Sequence, residues 1–426
     1  MSSYDATRGN PHFLDRVMSL AEHEAVVASE DIYSESGIKL LAKGKPLSPV
    51  LRERLLLQRL RRPLEACLAP AQGVAATDIG QIAHELIESW PILAPLCLDE
   101  GRPWPLSWLA QVPVNQVTAL LLSVSARAGA GVLRHAVLVT LVALGLARRM
   151  QASPEVMRTL AIAGLLHDVG ELYVAPEVLS SRADLSLDDW RALAVHPLTG
   201  AKVIEGIAGL GAPVALAVLQ HHERHDGTGY PRRLAGAAMS PAAKILATAE
   251  AMAGLIPGPE ESSLRASVAF KVITSDHAPA VVAAVRSVLN EMSDAPDVEM
   301  TPLEAVVEIH RLIAYIGDVF MVIELAGERL ATPGAQALLG DIEARFTELH
   351  RAFSRTGLGG VTAGYEVSWL DYESPDEGVA EVAAVAREIR WRLRELARDI
   401  ALRASSLADD ERTVFSTLIG TLTRRR

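Results

Sequence analysis

Apolar residues recur at helical spacing through most of residues 114–292, and glycine or proline punctuates the ends of each run. The pattern predicts helices over 114–128, 132–150, 154–166, 187–207, 213–222, 241–255 and 279–292. Residues 17–75 read differently. VVASEDIY and IKLLAKGKPL have the look of short strands around a Ser-Glu-Ser-Gly turn, SPVLRERLLLQRL that of a serine-capped helix, and PLEACL that of a returning strand. Residues 76–114 predict a helix followed by a connector rich in proline and tryptophan, SWPILAPLCLDEGRPWPLSW. Beyond Thr301, TPLEAVVEIHRLIAYIGDVFMVIELAGERL and EVAAVAREIRWRLRELARDIALRA are amphipathic, and the acidic, turn-rich GLGGVTAGYEVSWLDYESPDEG separates them. Long helices joined this way pack as a hairpin or bundle. The chain therefore divides into a small α/β module (17–75), a helical connector (76–114), a helical core (115–295) and a C-terminal helical hairpin or bundle (301–426). The fold class is mainly α.

Composition sharpens this picture. At 426 residues the chain exceeds one ordinary domain, and half of it is hydrophobic with few aromatics, as an aliphatic helical core requires. The most apolar run, 136–147, is shorter than the roughly 20 residues of a bilayer span, so it reads as a buried helix and no membrane partner is expected. The N-terminus, MSSYDATRGNPHFLDRV, lacks the build of a secretory signal, and Cys67 and Cys97 form no metal or disulfide pattern. Both features point to the cytoplasm. A formal charge of -11 argues against binding long nucleic acid but not against a small anion whose site holds metal cations.

Half of the 12 histidines fall between His135 and His225. His135 sits in VLRHAVLV, His167-Asp168 closes AIAGLLHD, His196 precedes a proline, and His221-His222 closes VALAVLQHH. Glu250 follows in ILATAEAMAGL. Any one of these is an ordinary helix-end or core residue. The ordered series of His, His-Asp, His-Pro, His-His and an acid, each at an apolar helix, is another matter. Imidazoles with a carboxylate suit borderline transition metals such as Fe, Mn, Co, Ni or Zn.

The stretches LLHDVGELYVAPEVL, DDWRALAVHPLTGAKVI, HHERHDGTGYPRRLAG and PAAKILATAEAM resemble the HD-GYP family, the cyclic di-GMP-hydrolysing branch of the HD superfamily of metal-dependent phosphohydrolases. The resemblance covers roughly residues 115–295 and implies an HD-domain helical bundle. It assigns metal ligation to His135, His167, Asp168, His196, His221, His222 and Glu250, with Asp168 bridging two ions. It places Arg224, Gly229, Tyr230 and Pro231 beside the substrate. Two divalent ions such as Fe or Mn would acidify a shared water and polarise the phosphate, so that hydroxide attacks phosphorus and the 3′-oxygen leaves. The expected products from cyclic di-GMP are pGpG and then GMP.

The chain departs from the family at four places. Glu171 stands where a lysine usually faces the phosphate. Gly131 stands where a glutamate can support a third ion, which favours two. Ala253 replaces a second acid, and IPGPEESS replaces an arginine-containing stretch. His225 replaces a tryptophan and is not counted as a ligand. Three outcomes follow: a cyclic dinucleotide phosphodiesterase, a metal-binding signalling module with little turnover, or a phosphohydrolase acting on another nucleotide or phosphoester. No chemical motif marks 301–426, whose helices read as packing or homodimerisation elements, with a specific partner surface as the alternative.

Overall fold

The computed structural model describes residues 5, 8–129, 131–180, 186–206, 210–256, 264–272, 275–292, 301–356 and 375–424. The chain forms two compact units, Met1–Pro259 with Ser275–Glu291, and Glu260–Thr274 with Met292–Arg426.

The first unit opens with helix α1 (Pro11–Ala21), capped by the Asn10 side chain. Strand β1 (Val26–Ala28) is followed by β2 (Ile32–Tyr33) and β3 (Lys39–Leu41), which pair with each other around the anticipated turn. Gly37 closes that turn at φ 90, a conformation that costs glycine little. Helix α2 (Pro49–Leu57) follows, and β4 (Leu68–Pro70) returns antiparallel to β1. The connector carries α3 (Ala76–Ser89) and three single turns.

The helical core begins with α4 (Gln116–Ala128), α5 (Val132–Arg149) and α6 (Pro154–Leu166). Asn115 and Ser153 accept hydrogen bonds from backbone N–H groups in the first turns of α4 and α6, which fixes where those helices start. Every residue of α5 from Ala136 to Ala147 is buried. That run is the central helix of the unit, packed by α3, α4, α6 and α10 (Pro241–Leu255). Among the described residues no single helix is long and apolar enough to cross a membrane. Gly164 of α6 lets the α5 backbone approach closely, since a Cβ there would lie 2.5 Å from Thr140 Oγ1.

The single helix expected over 187–207 is instead two, α7 (Leu187–Ala194) and α8 (His196–Glu205), with the break at Val195. Pro197 explains the correction. It has no N–H to offer Leu193 O, and its ring would crowd that carbonyl in a continuous helix. The ring Nδ1 of His196 takes the carbonyl instead, at 2.8 Å. Helix α9 (Ala212–Gln220) packs on α6, α8 and α10.

The second unit comprises α11 (Leu264–Val272), α13 (Pro302–Gly327), α14 (Pro333–Arg355), α15 (Pro375–Ala404) and α16 (Asp409–Leu422), while α12 (Pro279–Asn290) belongs to the first. A capping box between Thr301 and Glu304 starts α13. Helix α15 packs against all four of the others. Leu303, Val307, Met321 and Leu325 of α13, one of the helices read from the sequence as packing or dimerisation elements, are exposed. Most of GLGGVTAGYEVSWLDYESPDEG, and IPGPEESS beyond Ile256, lie outside the described residues.

Close packing of α5 on α6 is a testable feature. Gly164→Val should lower stability by about 1–3 kcal/mol through overpacking against Thr140, read as a lower denaturant midpoint with unchanged slope.

Candidate metal centre

Three histidines owe their positions to helix ends. The last carbonyls of a helix have no partner within it. His167 Nδ1 lies 2.7 Å from Gly164 O, His196 Nδ1 2.8 Å from Leu193 O, and His221 Nδ1 2.6 Å from Val218 O. A carbonyl only accepts, so each Nδ1 carries the proton. Each neutral ring therefore presents a bare Nε2, the form in which imidazole binds a metal.

Those nitrogens converge with the acids into two groups. His135, His167 and Glu250 form one, and Asp168, His196, His221 and His222 the other, with ligand atoms within 4.8 Å of one another in each. Asp168 faces both. Its Oδ2 lies 3.2 Å from His167 Nε2, while Oδ1 lies 3.3 Å from His196 Nε2 and 3.5 Å from His221 Nε2. Glu250 Oε2 lies 3.1 Å from His135 Nε2 and 3.3 Å from His167 Nε2. All seven ligand residues expected from the sequence are thus brought together.

The arrangement fits cations. His167 Nε2 and Asp168 Oδ1 are buried and have no hydrogen-bond partner among the described residues. Unsatisfied buried atoms of this kind are costly unless something binds them. His196 Nε2 and His221 Nε2 stand 3.2 Å apart. With neutral rings two lone pairs would face each other there, and a bound ion relieves that contact. The electrostatics agree. Burial disfavours charge on His167, yet Asp168 and Glu250 outweigh it and hold the ring well above its ordinary pKa. Burial also opposes ionisation of Asp168 and Glu250, but His167 and His135 respectively pull them well below the usual carboxylate range. Burial and the neighbouring His221 push His222 well below its ordinary value. The site thus keeps its acids ionised and His222 neutral, the forms in which both bind a metal.

Two further residues shape this centre without an expectation from the sequence. Gly170 follows the His-Asp pair by two positions, and a Cβ there would lie 1.9 Å from His196 O, so only glycine lets the two segments meet. The buried Glu223 carboxylate accepts N–H groups of Arg232 at 2.7 Å and Leu234 at 2.9 Å, folding the Gly-Tyr-Pro loop back over the centre. An acid next to the His-His pair was visible in the chain, but its backbone partners were not.

Within that loop Tyr230 stacks on His222, centroids 4.7 Å apart and planes at 20°, and meets Trp190 edge-on at 5.4 Å. Gly229 sits where a Cβ would fall 2.3 Å from Arg224 N. The cis peptide Tyr230-Pro231 completes the turn. Arg224, expected beside the substrate, has its Nε 3.4 Å from Asp276 Oδ2, and His225 donates its N–H to Asp276 O at 2.7 Å. His225 belongs to neither ligand group; its ring packs on Gly236, where a Cβ would lie 2.0 Å away. A cavity of 530 Å³ opens on His135, His167 and Asp168, with Glu171 on its wall.

Comparison with known proteins places the centre in context. The HD domain family matches residues 118–279. The chain is 36% identical over 101 residues to the cyclic di-GMP phosphodiesterase PA4108 of Pseudomonas aeruginosa, which is 24% of this chain and 24% of that protein. It is 31% identical over 219 residues to a cyclic di-GMP phosphodiesterase of Vibrio cholerae, 49% of this chain and 44% of the relative. It is also 31% identical over 110 residues to the 3'3'-cGAMP-specific phosphodiesterase 1 of Vibrio cholerae, 26% of this chain and 25% of the relative. The chain spans less than half the length of each of these relatives.

Because Asp168 faces both groups, Asp168→Ala should weaken metal binding throughout the centre, by about 10- to 100-fold or more. Glu250→Ala should weaken only the group containing His135. His225→Ala should retain its metal. Elemental analysis after dialysis against metal-free buffer reads all three, and undiminished metal in Asp168→Ala would contradict the bridging position.

Proposed function

We propose that this chain, whose residues 118–279 match the HD domain family and resemble cyclic di-GMP phosphodiesterases, is a metal-dependent phosphodiesterase that opens a cyclic dinucleotide, cyclic di-GMP or a close analogue, to the linear pGpG and then to GMP. The observation that carries this reading is the pair of ligand groups sharing Asp168. One divalent transition-metal ion in each group, Fe or Mn being suitable, would supply Lewis-acid charge at the phosphate and an acidified water for attack at phosphorus.

The chain's own residues do the rest. His167, His196 and His221 hold their Nε2 atoms in place through helix-end carbonyls, so no reorganisation is needed at the moment of reaction. Apolar residues such as Leu165 and Ala136 wall the cavity and limit water, which strengthens electrostatic interactions inside it. Tyr230, held between His222 and Trp190, offers an aromatic face at the loop over the centre, suited to stacking on a base. The named activities of the curated relatives support the substrate class. The reading carries a cytoplasmic setting, where a cyclic dinucleotide signal would be removed.

A second reading is a module that keeps metal and binds the dinucleotide with little turnover. Glu171 favours it, because an acidic residue lines the cavity that an anionic substrate would enter.

Full-length protein loaded with Mn or Fe and given cyclic di-GMP should release pGpG. Asp168→Ala should lose about a thousandfold or more, since several kcal/mol of transition-state stabilisation go with the metals. Metal retention and tight dinucleotide binding without turnover would select the signalling module. Hydrolysis of other phosphoesters with none of cyclic di-GMP would overturn the substrate.

A further inference from the structure

The cavity over the metal centre has a second wall that comes from the N-terminal module. Helix α1 contributes Asp15 and Arg16, the end of α4 contributes Arg127, and the segment after the His-Asp pair contributes Glu171. At 530 Å³ the space lies in the range of small-molecule sites.

The charges on this wall are not equivalent. Asp15 pairs with Arg52. Arg16 is committed to the backbone, its Nη1 donating to Leu172 O at 2.8 Å and Val174 O at 2.9 Å. Burial lowers its pKa, and the nearby Glu171 opposes that shift. Arg127 differs from both. It lies in the last turn of α4, is exposed, and makes no hydrogen bond or ion pair among the described residues. It is the cavity's one uncommitted cation among the described lining residues.

A cyclic dinucleotide carries two phosphodiesters, and the metal ligands at the cavity floor can serve only the one being cut. The other brings a full negative charge into a space that already holds Glu171. A guanidinium with free N–H groups is the side chain best suited to meet it, through paired charge-assisted bonds. We propose that Arg127 grips the substrate phosphate that is not being hydrolysed, and so selects substrates with two phosphates. This rests on the phosphodiesterase reading above, and it assigns the cationic role to the α4 end rather than to position 171.

The test uses full-length, Mn-loaded protein and cyclic di-GMP, with binding by calorimetry and turnover by pGpG release. Arg127→Ala should raise both Kd and KM by about 10- to 100-fold with kcat changed far less, since a charge-assisted bond is lost. Arg127→Glu should be worse, and Arg127→Lys should recover part of the affinity. Metal content and thermal midpoint should match wild type, which separates the grip from a folding defect. The affinity of Arg127→Ala should also depend less on salt than that of wild type. If Arg127→Ala and Arg127→Glu bind and turn over cyclic di-GMP within about threefold of wild type, the grip is wrong and the phosphodiesterase reading stands. If wild type binds cyclic di-GMP but does not hydrolyse it, the phosphodiesterase reading fails, and the Kd series still decides the grip. If wild type does not bind cyclic di-GMP, both fail.

Discussion

Carbonyl oxygens left over at helix ends organise this protein. Helices α6, α7 and α9 each stop where a histidine can turn its Nδ1–H back onto a carbonyl three residues earlier. One bond does three things: it satisfies an orphan acceptor, fixes the tautomer, and aims the ring. Three helices ending at one place then bring three bare nitrogens together in the core. The proline after His196 belongs to the same device, because breaking the helix is what frees Leu193 O for the ring.

Convergence of that kind has an electrostatic cost, and the acids answer it. Asp168 and Glu250 are surrounded by imidazoles and have few other partners, so the centre is at rest only when positive charge fills it. Protons on the histidines are one way to supply that charge and divalent ions another. Two glycines make room for the arrangement: Gly164 seats α6 on α5, and Gly170 lets the segment after Asp168 pass against His196. The aliphatic walls then keep the competing dielectric of water away.

The N-terminal module belongs to the same construction. Phe13 stacks on Tyr173 with centroids 5.0 Å apart and planes at 4°, Asn10 donates to Tyr173 O at 3.5 Å, and the Tyr173 hydroxyl meets Glu65. With Arg16 on the carbonyls of Leu172 and Val174, these contacts hold the turn that carries Glu171. A change in the position of α1 would therefore be felt at the cavity wall through packed side chains, without passing through a flexible tether.

Much of this was legible in the chain itself. Helix-forming periodicity, punctuated by glycine and proline, set α4, α6 and α10 almost to the residue, because those signals act within a turn or two. The ordered His-Asp, His-Pro, His-His and Glu250 series marked a candidate metal site, and the family resemblance assigned its ligands, since a buried imidazole next to a carboxylate is costly unless it has work to do. Other features depend on contacts between segments far apart in sequence, and no local pattern encodes them. The division of 187–207 into two helices is the exception, a local effect of Pro197 that the apolar periodicity runs straight across. Asp168's position between both groups needed five helices to meet. The pairing of Arg224 with Asp276, 52 positions away, and the arrival of Arg16 beside Glu171 were decided by packing alone. The sequence by itself determined which residues could hold metal. Only the tertiary structure decided which face each other, and which cation was left free to face the cavity, because both depend on distances that folding creates.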